Sequence, residues 1–222
     1  MDISRSIRAL GRNFNPDVLK ATYDLFVPLQ ERADKGGVVH HMDIAYGDHA
    51  QQRLDMVTPE RKPETAVPVV VYIHGGGYIG GERSPYPGLI YDNVPIFFAR
   101  NGMIGVNATY RLAPDHKWPS GAQDVGAVVS WLRDNIADHG GDRDRIYVVG
   151  QSAGATHVAT HAFVEDVHGA SGPGIAGAIL LSGVFAPSDP VFSPGPPAPN
   201  SIAYYGEDHT RWEAMSPLYH VR

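Results

Sequence analysis

Arg145-Ile146-Tyr147-Val148-Val149, running straight into Gly150-Gln151-Ser152-Ala153-Gly154, is the segment from which the rest of the chain can be read. The first five residues are mostly β-branched or aromatic and suit a strand. A helix is expected from Ala153 to Val167. Between the two stands G-x-S-x-G in a strand–turn–helix context, the pattern of a nucleophile elbow. A serine there sits on a tight, strained turn with its hydroxyl projecting from the sheet. Small residues two positions before and after it keep the backbones from colliding. The following helix aims backbone N–H groups and its positive dipole end at the place where an oxyanion would form. Taken alone, the five residues also fit an ordinary strand-to-helix turn that contains a serine.

Working outward, Val67 to Ile73, Ile104 to Ala108 and Ile175 to Leu181 are further strand candidates, the first continuously apolar apart from Pro68. Helical stretches separate the strands at Ile96 to Arg100, Ala122 to Ala137 and Ala153 to Val167. Buried strands alternating with helices predict an α/β fold with a mostly parallel sheet and helices on both faces. Such sheets place their chemistry at the carboxyl ends of the strands. Upstream, His41 to Tyr46 and Arg53 to Val57 alternate polar and apolar around the turn-like Gly47-Asp48, which predicts an antiparallel hairpin. Asn15-Pro16-Asp17 reads as a helix start, and Leu19, Tyr23, Phe26 and Leu29 then form an apolar stripe at helical spacing.

The 222 residues suit one domain at roughly 150 residues per domain. With 43% hydrophobic residues the chain can bury a core. Eighteen Lys+Arg against 24 Asp+Glu leave a charge of −6, with the acids scattered, which excludes a nucleic-acid binder with a basic face. Cysteine is absent, so there is no disulfide framework, no thiolate nucleophile and no Cys-based metal site. Met1-Asp2-Ile3-Ser4-Arg5 lacks the apolar region of a secretory signal, and the longest apolar run is too short to span a bilayer. The expectation is a soluble, cytoplasmic protein; nothing indicates its oligomeric state. Gly (25) and Pro (18) concentrate between Gly75 and Gly88 and between Pro187 and Pro199, which marks loops.

The strand ending at Ile73 enters His74-Gly75-Gly76-Gly77-Tyr78-Ile79-Gly80-Gly81. Consecutive glycines let backbone N–H groups approach a ligand, as acyl-transfer chemistry needs. Gly75, Gly77 and Gly80 also satisfy G-x-G-x-x-G, the dinucleotide fingerprint. That pattern must open a helix, yet Pro85 and Pro87 break the segment, and no strand ends in an acid some twenty residues on. No cofactor is expected.

The His74-Gly75-Gly76-Gly77 run upstream of Gly150-Gln151-Ser152-Ala153-Gly154 resembles the hormone-sensitive-lipase-like branch of the α/β-hydrolases. Between them Tyr110-Arg111-Leu112-Ala113-Pro114-Asp115-His116, then Trp118-Pro119 and Asp124, is similar to that family's Tyr-Arg-Leu-Ala-Pro-Glu-His segment. The resemblance covers the chain from about residue 40 onward and divides it into an N-terminal helical cap region (1–38) and an α/β-hydrolase core (39–222). Position by position it implies Ser152 as nucleophile and the N–H groups of Gly76, Gly77 and Ala153 as oxyanion hole. His74 and Gly75 would support that loop. Gln151 departs from the acidic residue often found there. The segment from Tyr110 to Pro119 reads as structural, with Arg111 and Asp124 free to form an ion pair.

A serine hydroxyl needs a base, and the base an orienting acid. In this fold the order is Ser, then Asp or Glu, then His. After Ser152 come one convincing strand, a Pro-rich loop and Ser216-Pro217-Leu218, which resembles the family segment standing before the strand that leads to the acid. The expectation is that acid and histidine lie beyond Arg222, that the C-terminal strands are missing, and that the sheet exposes an apolar edge. His157, His161 and Glu165 form an i, i+4, i+8 row that offers a metal site or, more plainly, a polar helix edge. Asp208-His209 and His220 are the other local candidates for a base. The expectation is a serine hydrolase of carboxylic esters acting through an acyl-enzyme, with a small-molecule ester as its partner and no metal; the resemblance implies short-chain or aryl esters. An N-formyl amide hydrolase and a non-catalytic binder on a degenerate hydrolase are the alternatives.

Overall fold

The computed structural model describes residues 3–13 and 15–221. A short helix α1 (Ile3–Ala9) precedes α2 (Pro16–Arg32). Asn15 caps α2 as expected: its side-chain oxygen accepts the Val18 N–H at 2.9 Å, and Pro16 occupies the first turn. The apolar stripe on α2 is only half covered, with Leu19 and Leu29 still 38% and 39% exposed. β1 (Val38–Ala45) and β2 (Arg53–Pro59) make the predicted antiparallel hairpin.

From there β3 (Val67–Ile73), α3 (Asn93–Arg100), β4 (Ile104–Ala108), α4 (Ser120–Asn135), β5 (Gly141–Gln151), α5 (Ala153–Phe163), α6 (Glu165–His168) and β6 (Gly177–Leu181) supply the alternation, and α7 (Pro199–Tyr205) follows. The sheet runs β1-β2-β4-β3-β5-β6. Neighbours among β4, β3, β5 and β6 are parallel, and β2 joins β4 antiparallel. The chain winds outward from β3 to β4 and then returns across β3 to β5. At such a reversal the loops leaving the two strands part and open a crevice. Here it falls between the ends of β3 and β5, where Ile73 is in register with Gly150. Both singled-out loops start at that point.

Alternate residues of β3 face opposite sides. Val69, Val71 and Ile73 join Val125, Val128 and Leu132 of α4 and Val158 of α5 in the main core. Val70 and Tyr72 meet Val94 and Phe98 of α3. Helices thus cover both faces, unequally. Ile179 and Leu181 on the edge strand β6 are 53% and 46% exposed, as the expected apolar edge requires.

Three expectations need correction. The helix predicted over Ala153 to Val167 breaks at Val164, whose backbone is extended and whose side chain is buried instead of continuing the turn. The row His157, His161, Glu165 is therefore not held on one helix. β5 begins four residues earlier than predicted, and β6 two residues later, where Gly177 pairs with Tyr147. The helix α7 begins at Pro199, where the predicted Pro-rich loop ends, in a stretch to which the sequence reading assigns no element. No helix among the described residues is long and apolar enough to cross a membrane.

Candidate active site

Ser152 has φ +54° and ψ −121°, a conformation costly for any residue with a Cβ and found where the surrounding structure enforces it. The enforcement is visible on both sides. A methyl group on Gly154 would run into the carbonyls of Ile73 and His74, and one on Gly150 would lie 2.6 Å from the Gly154 carbonyl oxygen. Two glycines therefore let α5 cross directly over the ends of β3 and β5. The Ser152 N–H donates to the Leu181 carbonyl at 2.8 Å, tying the turn to β6. Ala153 opens α5, so its N–H has no intrahelical acceptor.

The glycine loop packs against this turn. A Cβ on Gly75 would sit 3.0 Å from the Ser152 Cβ, and one on Gly77 2.6 Å from Asn200 Nδ2 of α7. Gly76 and Gly77 have φ +146° and +59°, which a side chain would resist. The Gly80 N–H donates to the Gly76 carbonyl at 3.1 Å and closes the loop. Among the described residues no hydrogen bond uses the N–H of Gly76, Gly77 or Ala153.

His74 lies beneath the loop, fully buried, with Nδ1 2.7 Å from the Gly75 carbonyl and its ring stacked on Tyr110 at 4.6 Å. Burial pushes its imidazole down to about 4, so at neutral pH it is an uncharged donor to the loop. The Tyr110 hydroxyl donates to the His74 carbonyl at 3.0 Å. In the segment that follows, the expected ion pair forms: Arg111 grips Asp124 through Nε and Nη2 at 3.0 and 2.8 Å, and Asp124 is 1% exposed. The Arg111 N–H and Gln52 Nε2 complete the carboxylate's partners at 2.7 and 2.8 Å.

Ser152 and Gly75, Gly76 and Gly77 open onto a cleft of about 710 Å³. Leu19 and Tyr23 of α2 form one wall, and Ile79, Pro85 and Tyr91 contribute others. Glu82, Gln151 and Asn200 are its further polar residues. Sequence reasoning missed Asn200, Glu82 and Tyr91. It recognised the stripe holding Leu19 and Tyr23 without knowing what it faces.

None of the described residues lining the cleft is a histidine. His157 is buried among Tyr78, Tyr110 and Tyr204, with Nδ1 3.1 Å from the Tyr204 hydroxyl; burial, then nearby His74, push its imidazole down to about 3. His161 is buried too, its Nε2 2.8 Å from the Pro173 carbonyl, so neither ring belongs to a polar edge. Among the described residues no group of three His, Asp or Glu is placed to hold a metal ion. Asp208 holds Thr210, His209 lies against Trp212, and His220 Nε2 is 2.9 Å from the Ala214 carbonyl; none of them borders the cleft.

A family model described as BD-FAE matches residues 54–172, from β2 through both site loops. Esterase LipC of Mycobacterium tuberculosis is 34% identical over 116 residues, covering 52% of this chain and 28% of that protein. Carboxylesterase NlhH of the same organism is 40% identical over 110 residues, covering 46% and 31%. The chain thus matches about a third or less of the length of these relatives. Among solved structures, a bacterial heroin esterase superposes with a TM-score of 0.66 at 26% identity, covering 93% of this chain and 68% of that one. Esterase B of Lactobacillus rhamnosis superposes at 0.67 and 20% identity, covering 100% and 72%. The fold is the α/β-hydrolase fold that the motifs implied.

Proposed function

The chain belongs to the BD-FAE family, and on that footing we propose that Ser152 is the nucleophile of a carboxylic-ester hydrolase. Gly76, Gly77 and Ala153 are its oxyanion donors, and His74 and Gly75 hold the donor loop. The observation that carries this reading is the set of three N–H groups without an acceptor around a serine held at positive φ.

Ser152 Oγ adds to the ester carbonyl carbon while its proton passes to a base. The π pair moves to the carbonyl oxygen, and the oxyanion meets donors already in place. Collapse breaks the C–O bond to the alcohol, which leaves with the proton, and an acyl-Ser152 remains. Water adds to the acyl carbon by the same route, releasing the carboxylic acid and restoring the hydroxyl. The base is not among the residues described at the cleft, so the polypeptide 1–222 alone is expected to turn over slowly. Residues 1–38 act as a cap over a core of 39–222, a division supported by Leu19 and Tyr23 at the cleft wall. The aromatic and aliphatic walls favour short-chain or aryl esters.

The test uses the gene product that carries residues 1–222, assayed with p-nitrophenyl butyrate. Ser152→Ala is expected to lower kcat by about a thousandfold or more with an unchanged melting temperature. Undiminished hydrolysis in that variant refutes the assignment. Faster cleavage of an N-formyl aryl amide than of the ester overturns the substrate class.

A further inference from the structure

We propose that the cleft selects esters carrying an ammonium cation, with Glu82, Tyr23 and Tyr91 as the specificity-determining residues; this rests on Ser152 being the nucleophile. All four residues line one cleft. Glu82 is the single formal charge in that lining, and among the described residues nothing pairs with its carboxylate. The cations adjacent in sequence to the cleft residues Glu82 and Leu19 are spent elsewhere. Arg83 is bound through Nε to Asp55 at 2.6 Å and through Nη2 to Asp43 at 2.8 Å. Lys20, next to Leu19 on α2, is paired with Asp24 at 2.6 Å. Neither Arg83 nor Lys20 neutralises the Glu82 carboxylate.

The aromatic walls add to it. Tyr23 packs 5.0 Å from Tyr86, and Tyr91 lies 5.3 Å from Tyr72, so each ring is held by a second ring. Burial first, then Tyr23, push the Tyr91 phenol up to about 12, so the ring is neutral at neutral pH. Aromatic faces attract an ammonium group, and a carboxylate lining the same cleft offsets the cation's loss of water. A neutral ester of the same shape gains the packing alone, and an anionic one is opposed by Glu82. Because Glu82 is exposed, the discrimination is modest, on the order of tenfold in kcat/KM.

The test compares three thiobutyrates of similar size in the gene product carrying these residues: the choline thioester, the uncharged neohexyl thioester and an anionic sulfonatoethyl thioester. The expected order of kcat/KM is cation, neutral, anion, with the cation ahead of the neutral ester by about tenfold at low ionic strength and by less in about 0.5 M salt. Glu82→Gln should bring that ratio to within about twofold, and Glu82→Lys should turn the preference toward the anion. Equal rates for choline and neohexyl esters, or a ratio unmoved by Glu82→Gln, overturn the inference. If Ser152→Ala leaves hydrolysis of p-nitrophenyl butyrate undiminished, the nucleophile assignment has failed instead. The cation site is then read by melting temperature: choline should raise it, neohexanol should not, and Glu82→Gln should abolish the difference. No choline-specific shift refutes the site.

Discussion

On one face of the sheet α5 buries nine of its eleven residues and α4 eight of its sixteen; on the other, α3 buries three of eight and α2, bordering it, none. The closed face carries the main core and the backbone of the serine turn. The open face carries Phe97, Ile179 and Leu181, 46–60% exposed, and the side of the molecule from which α2 reaches the cleft. At the serine turn the clearances of Gly150 and Gly154 show how closely the closed side packs. A turn held at positive φ needs dense packing beneath it, whereas cleft walls that meet varied substrates do not. Stability and selectivity should therefore answer to different faces.

The sharpest probe is Asp124, buried on α4 and satisfied by Arg111 and Gln52. Asp124→Ala leaves the guanidinium unpaired and should cost about 4 kcal/mol in urea unfolding; a loss under about 1 kcal/mol would mean that the Tyr110–Pro119 loop needs no anchor. Next, Leu132→Ala on the closed face should cost about 3 kcal/mol, and Leu181→Ala on the open edge less than about 1 kcal/mol. Equal losses would erase the contrast between the faces.

Acid should act through the closed face too. His74 and His157 are neutral when folded, at about 4 and about 3 against an ordinary 6.5. Their folded values are depressed, so the unfolded chain binds the protons first. Their contribution is full above pH 6.5 and declines as pH falls toward 4 and 3, by about 1.4 kcal/mol per pH unit for each histidine. Urea midpoints measured from pH 7 down to pH 5 should show that slope, and His157→Gln should remove about half of it. A flat profile contradicts the neutral, buried state. Smallest of all, Phe97→Ser, at a side chain 60% exposed, should change stability by no more than about 0.5 kcal/mol.

What could be read beforehand follows from how local each requirement is. Gly150, Gly154 and the run Gly75 to Gly77 announce themselves because only glycine tolerates those backbone approaches, whatever surrounds them. The hairpin and the Asn15 cap are equally local. Asn200 was invisible because its place against Gly77 depends on Tyr204 stacking 4.6 Å from Tyr78, a contact between residues far apart in the chain. The break at Val164 was hidden for a similar reason: an apolar residue suits a helix until the core takes its side chain. Glu82 carries no sequence signal at all, since an acid in a loop is ordinarily just a solvated one.

The backbone of Ser152 has a consequence for how this chain changes over generations. Nothing in the folding of the sheet asks for a serine there; glycine would relax the turn and keep every neighbour in place. With Ser152 as the proposed nucleophile, folding and chemistry pull in opposite directions at one codon, and selection for turnover is what would hold the serine. In a lineage released from that selection, position 152 should be among the first to drift, and the protein left behind would be inert yet better folded.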